Sequence, residues 1–529
     1  MSNATPDHLH RLVRSLSKAE KRHFKLYIGR HLPGGRGNLQ LLFDAVAAMP
    51  EYDPSVLHGK FKGQPFMRNL PITKRRLYEA VLESLDALHA NSTVDDKVSR
   101  LLHHVELLFA KALYADAAKI LRSATNLARE HDRQPLLLQA MEWERRILER
   151  SNYAGTDAGE LAQRARQATA VAEEWKEADA LWSLKSASFQ LLFRSGQAPG
   201  PKEREELRAM GQHPLLVDDT PLHGAYARYL HHHVRSALAF AGNDLATCEQ
   251  ELRHCAEVVG TEGGKLHDAP TLLLGVMGNL AHVLMRLGRQ QEALDGFRQF
   301  RRLPLMMKQA PNPDLEMKLF VMGSSLELAV HAAKGEFAAV LDKLPALEEG
   351  LEANGTRIST VRRGELMLQA AYTCFGADEH AQALRWCHRL LSEKGIDAYH
   401  EVHALGRMLN LATLIELGRW EHLAYVVRNT RRQFQRAVQP FEMESLLLDH
   451  AQALAKGLRG KALQEAWQLF HAGLAAHVAH STEAVLLDQV DLLLWAQAKV
   501  AGRSMGELAK ERWKAGFRGQ RPIKPKRAA

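Results

Sequence analysis

Cysteine is scarce in this chain, with four among 529 residues. Cys248, Cys255, Cys374 and Cys387 cannot build the dense disulfide framework of a small secreted fold, so free buried thiols in a reducing compartment are expected. Long apolar runs are also missing. No stretch of eighteen apolar residues occurs, which leaves no candidate for a membrane-spanning helix. The opening MSNATPDHLHRLVRS lacks the apolar stretch of a secretory signal. The expectation is a cytoplasmic protein without a membrane partner. Alternating β-branched runs are absent as well, so no sheet is expected.

Catalytic and ligand-binding groupings are equally thin. GTEGGKLH (260–267) carries a Gly-Lys pair like a phosphate loop, but Val259 stands where the first glycine belongs. Leu266 stands where a metal-binding hydroxyl is needed, and no strand precedes the loop. HHH at 231–233 cannot turn all three rings to one ion, because neighbours on a helix point about 100° apart. HEVH (400–403) lacks the four-residue spacing of two histidine ligands. Cys374, His380, Cys387 and His388 straddle one turn, yet Cys387 shares a stripe with Leu384 and Leu391 and reads as core. No nucleophile–base arrangement stands out. The sequence therefore predicts no enzyme activity, no cofactor, no metal and no small-molecule substrate.

What the chain does have is helix-forming composition and charge concentrated at its ends. Residues 1–90 hold 14 Lys and Arg against 8 Asp and Glu, and residues 501–529 hold 9 against 2. The 410 residues between hold 47 against 51, so the overall +9 belongs to the two ends.

Apolar residues recur at three- and four-residue intervals throughout, and small turn residues recur on a longer period. RLGRQQEALDGF (286–297) and ELGRWEHLAYVV (416–427) share Leu-Gly-Arg with apolar or small residues five and nine after the glycine. AKGEFAAVLDKL (333–344) keeps that spacing through Gly335, Val340 and Leu344. Adding Ala112, Gly155, Gly196, Gly242, Gly376 and Gly460 gives turns separated by 41 to 47 residues. Each unit reads as two antiparallel helices, with the glycine closing the first in a left-handed conformation. One pair cannot cover its own apolar stripe, so neighbouring pairs must stack.

NLAHVLMRLGRQQEALDGFRQFRRLP resembles a tetratricopeptide unit through Ala281, Gly288, Ala293, Phe297 and Pro304. It differs in Met277 and Phe300, and its period exceeds the family's. The resemblance implies an all-α, right-handed α-α superhelix, a tetratricopeptide-like (TPR-like) solenoid with long helices. Such folds bind other macromolecules on the concave face.

The first ninety residues lie outside the repeat. Ser17 and Glu20 form a capping-box pattern, so a helix is predicted from about Lys18. Helices are predicted over 38–49, 55–61 and 72–90, the last with Lys74, Arg75 and Arg76 on its leading turn. A short helix followed by a long basic one is compatible with a helix-turn-helix-like module, and also with a polar cap on the first repeat. On a helical wheel Lys18, Lys21, Arg22 and Lys25 form one basic stripe. At the other end Arg512, Trp513, Lys514, Phe517, Arg518, Arg521, Lys524, Lys526 and Arg527 interleave aromatics with cations, a pattern suited to bases and phosphates or to an acidic groove.

The organisation predicted is a basic N-terminal helical domain over 1–92, an α-solenoid of about nine helix pairs over 93–503, and a basic end over 504–529. The leading functional expectation is a non-enzymatic scaffold or adaptor that takes a protein partner in the solenoid groove. The alternative is a nucleic-acid-binding helical-repeat protein that uses its basic ends on RNA or DNA.

Overall fold

A computed structural model describes residues 7–31, 36–195, 200–217, 221–306, 311–397, 400–434 and 441–516. Every regular element among the described residues is helical, and none of their helices is long and apolar enough to cross a membrane. The chain divides into two compact units, residues 1–172 and 173–529.

The first unit begins with α1 (His8–Ser15), α2 (Lys18–His31), α3 (Arg36–Ala48), α4 (Pro54–Lys60) and α5 (Leu70–His89). Ser17 and Glu20 do cap α2: the Ser17 amide donates to Glu20 Oε2 at 2.7 Å and the Glu20 amide to Ser17 Oγ at 3.2 Å. α5 is the central element, packed against α1, α2 and α3. Leu9, Val13, Phe24, Ile28, Leu42, Phe43, Leu77 and Val81 form the core of this group. A separate cluster of Val98, Leu102, Val105, Leu121, Ala124 and Leu137 holds α6 (Val94–Ala110), α7 (Tyr114–Glu130) and α8 (Gln134–Arg150) together.

α9 (Ala158–Ser195) departs from the predicted period. The sequence reading placed turns at Gly155 and Gly196, with a helix boundary between them. Gly155 is a left-handed turn residue (φ 74°), and Gly196 lies outside the described residues. No proline or glycine occurs from residue 160 to residue 195, so nothing ends the helix and it runs for 38 residues.

The second unit contains α10 (Pro201–Gly211), α11 (Ala225–Ala241), α12 (Leu245–Glu262), α13 (Ala269–Arg286), α14 (Gln290–Met306), α15 (Pro313–Ala333), α16 (Leu344–Asn354), α17 (Thr360–Gly376) and α18 (His380–Leu391). It continues through α19 (Glu401–Glu416), α20 (Trp420–Phe434), α21 (Glu442–Leu454), α22 (Gly460–His480), α23 (Leu492–Ala501) and α24 (Met505–Lys514). α13, α15, α17, α19 and α21 pack one against the next, and most helices also pack on their immediate chain neighbours.

The turn chemistry explains these hairpins. Gly288, Gly335 and Gly418 adopt φ of 74°, 66° and 63°, and the positions five and nine residues after each are buried: Ala293 and Phe297, Val340 and Leu344, Leu423 and Val427. Two expected anchors shift. Gly242 is right-handed while Asn243 carries φ 57°, and Asp378 rather than Gly376 takes φ 63°. Gly460 is left-handed (φ 55°) where α22 opens, and Gly457 (φ 79°) is a second left-handed residue between α21 and α22. Asn and Asp tolerate the left-handed region because their short polar side chains bond locally, so the turn survives without glycine. After Gly335 the chain forms a 3-10 segment, Phe337–Lys343, before α16. Pro345 is the reason: it lacks an amide hydrogen and crowds the carbonyl four residues back, so the α-helix starts beside it.

Between Ser481 and Gly516 the chain folds back over the row of helices. Gln489 Nε2 donates to Glu401 Oε1 at 2.9 Å, and Trp495 Nε1 donates to Glu416 Oε1 at 2.6 Å. Arg286 Nε meets Asp488 Oδ2 at 2.9 Å, and α24 packs on α15. At Gly335 an added Cβ would stand 2.9 Å from the Ala509 Cβ and would strike the Gly506 carbonyl, so the close approach of α24 requires glycine there.

Candidate functional site

The basic residues predicted from sequence do not assemble into one surface. α2 lies along the C-terminal half of α5, because His23 Nδ1 meets Ser84 Oγ at 2.9 Å and His89 Nε2 meets Glu20 Oε1 at 3.0 Å. Lys74 is ten residues before Ser84 on that helix, a displacement of about 15 Å along its axis. The stripe and the leading turn of α5 therefore sit at different places along it. Lys18 and Arg22 are exposed, Lys21 is half-buried, and Lys25 pairs with Asp44 on α3 at 2.8 Å.

Lys74 is not a surface cation. Its ammonium donates to Asp7 Oδ2 and to Tyr52 Oη, and lies 4.5 Å from the centre of the Tyr52 ring. Although burial opposes it, these partners hold the Lys74 pKa above the ordinary lysine value. The side chain locks the start of α1 onto α5. Arg75 is exposed and paired with Glu79 at 2.8 Å, and Arg76 is exposed.

At the C-terminal end, Arg512 is half-buried and paired with Asp491 at 2.6 Å. Trp513 is also half-buried, and Lys514 is exposed. Phe517, Arg518, Arg521, Lys524, Lys526 and Arg527 lie outside the described residues. Arg512 and Trp513 line a cavity of about 130 Å³ between α13, α15, α17 and the returning segment, together with Arg286, Tyr372, Asp488 and Asp491. Arg286 meets Asp488 and also donates to Asn243 Oδ1 at 2.7 Å. Burial pushes the Tyr372 hydroxyl pKa far above the ordinary range and pulls the His282 imidazole below its own. Gln369 Oε1 is buried without a hydrogen-bond partner. The cavity is thus walled by ion pairs and neutral groups, with its cations already neutralised.

The cysteines behave as core residues. All four are buried and free, and burial raises Cys248 and Cys374 to about 12 and Cys255 and Cys387 above the ordinary range. The rings of HHH diverge as helix geometry demands. His231 Nδ1 meets the Leu215 carbonyl at 2.7 Å, His232 Nδ1 meets Glu251 Oε2 at 2.7 Å, and His233 packs on Phe189 and Tyr229.

Sequence reasoning missed a set of half-exposed aromatics on α9. Trp175, Trp182 and Phe193 are 48%, 51% and 49% exposed. Their spacings of seven and eleven residues place them on one stripe, about 27 Å long, opposite the buried Leu181, Ser188 and Leu191. The signal was present as a second apolar periodicity in a helix that already has a buried face.

The chain matches no protein-family model, and no curated protein matches it.

Proposed function

We propose that this chain is a non-enzymatic, TPR-like α-solenoid scaffold that holds a protein partner in the cytoplasm. The recurring left-handed turns and the row of stacked helices from α13 to α21 support the solenoid reading. The aromatic stripe of Trp175, Trp182 and Phe193 carries the binding reading. Tryptophans are over-represented among residues that dominate interface energies, and Trp175 and Trp182 leave about half of their surface uncovered, whereas Phe193 already packs on Phe189 and under the Arg362 guanidinium. An aromatic can bury roughly 150–250 Å², and these three are already about half covered, so together they offer roughly 225–375 Å² of the ~800 Å² that one side of a standard interface needs, and their neighbours must supply the rest.

The docking face we assign is this stripe rather than the row from α13 to α21, because segments of the chain between residues 487 and 513 already lie on that row. Nucleic-acid binding through the basic ends has less support. Lys25, Lys74, Arg75 and Arg512 each have a carboxylate partner within the chain, which reduces what they can offer to phosphate.

Co-purification with mass spectrometry, with and without nuclease, tests the proposal on the wild type and the Trp175→Ala/Trp182→Ala variant. A nuclease-resistant protein partner, lost from the variant at unchanged melting temperature, is the expected result. Recovery of nucleic acid alone, in a salt-sensitive complex that the variant retains, would sink the scaffold reading.

A further inference from the structure

α11 and α12 are antiparallel helices joined by the turn at Asn243, and one ring of the HHH run faces across to the second helix. His232 Nδ1 lies 2.7 Å from Glu251 Oε2, and the His232 and His254 ring centres are 4.8 Å apart. Glu251 and His254 are three residues apart on α12 and so share a face. One ligand-type atom from each of the three side chains falls within 4.8 Å of the others, and no other such set of three occurs among the described residues.

Two further observations bear on what this cluster holds. Glu251 has a side chain only 5% exposed, and its second oxygen, Oε1, is held by Arg235 Nε at 2.8 Å. An orienting contact of this kind is what a ligating carboxylate needs. His254 Nδ1 is buried without a hydrogen-bond partner, 4.0 Å from Glu251 Oε2. A buried ring nitrogen without a partner is costly, and an ion supplies one.

We propose that His232, Glu251 and His254 form a binding site for a divalent transition-metal ion of the zinc class. Two imidazoles and one carboxylate are the donor set that suits zinc, cobalt or nickel, whereas magnesium and calcium take oxygen donors. With metal–ligand distances of about 2.0–2.1 Å, tetrahedral donors stand roughly 3.3 Å apart. The present separations from Glu251 Oε2, 2.7 Å to His232 and 4.0 Å to His254, fall on either side of that value. All three separations are within 4.8 Å, so holding an ion requires the side chains to turn towards one centre. His232 and His254 reach solvent, which gives the ion an entry path and leaves water to complete its coordination. Bound there, the ion ties α11 to α12 across their open edge. The site is independent of the α9 stripe.

The test uses the full-length chain stripped of metal with a chelator. Cobalt(II) is titrated by visible absorption and zinc by calorimetry, on the wild type, His254→Ala and His232→Asn. The expected result is one tight ion per chain, with the absorption of four- or five-coordinate cobalt. Either substitution weakens binding by roughly tenfold or more. At one fixed zinc concentration the melting temperature rises more for the wild type than for either variant. The metal-free His254→Ala chain keeps the wild-type circular dichroism, so its weaker binding reports on the lost ligand and not on lost folding. Equal affinity in the wild type and both variants, as 27 scattered histidines would give, overturns the proposal. So does the absence of saturable binding.

Discussion

Arg407 on α19 and Glu444 on α21 form a two-pronged ion pair, with Nε to Oε1 at 2.7 Å and Nη2 to Oε2 at 3.0 Å. Their side chains are only 8% and 2% exposed, and the pair joins two successive members of the helix row. Replacing Glu444 with alanine leaves a guanidinium buried without its carboxylate, a change that costs about 3–5 kcal/mol. For a unit of this size, each kcal/mol shifts the melting temperature by roughly 2 °C, so a fall of about 6–10 °C is expected. Seven of the eight tryptophans lie in the second unit, so their fluorescence during thermal or urea unfolding reports on the unit that contains the pair. The double variant Arg407→Met/Glu444→Leu removes both charges and fills the space with apolar atoms. It is expected to recover most of the loss, because well-packed apolar replacements of buried pairs are often neutral or stabilising. If Glu444→Ala melts within about 1 °C of the wild type, or the double variant shows the sum of the two single losses, the reasoning from burial and pairing is wrong.

Acid should expose a second weakness. His450 is buried against Phe470 and Trp467, at ring distances of 4.4 Å, and burial lowers its pKa from 6.5 to about 4. Its folded pKa lies below the unfolded value, so its contribution is complete above pH ~6.5 and is lost as pH falls towards 4, to a total of about 3 kcal/mol. The urea midpoint of His450→Phe should match the wild type at neutral pH and drop less on acidification; an identical acid profile refutes the assignment. Gly335→Ala should destabilise by more than the ~1–2 kcal/mol of left-handed strain alone, because α24 blocks the new methyl. Gly418→Ala, with only the Trp420 ring 3.8 Å away, should show the strain alone; equal urea midpoints contradict the packing argument. Lys74→Met should lower the stability of the first unit by about 1.5–3 kcal/mol, while Arg75→Ala leaves it close to the wild type. The reverse order in denaturation followed by circular dichroism would show that Lys74 is not the strut described above.

Helical class, the turns at Gly288, Gly335 and Gly418 and the lack of strands among the described residues were legible in the sequence because they depend on local physics. Apolar residues at three and four, a glycine that can turn left-handed and a serine that can cap act within a few residues of themselves. The same physics places the buried pairs after Gly288, Gly335 and Gly418. It also explains α9, where the lack of any helix-breaking residue outweighs the period set by the turns on either side.

Pairing across the fold was not legible, because it depends on where distant segments meet. Lys74, Arg75 and Arg76 are adjacent in sequence, yet Lys74 turns inward to Asp7 and Tyr52, 67 and 22 residues away. Arg512 looked like part of a basic tail, and the return of the chain over α13, α15 and α17 places it against Asp491 on a cavity wall. Only one of three consecutive histidines finds Glu251 and His254, because helix rotation sends the other two elsewhere. Charge counts by themselves marked two basic ends. Tertiary structure decided which of those charges are already neutralised, since an ion pair forms only where folding brings its two partners within a few ångströms.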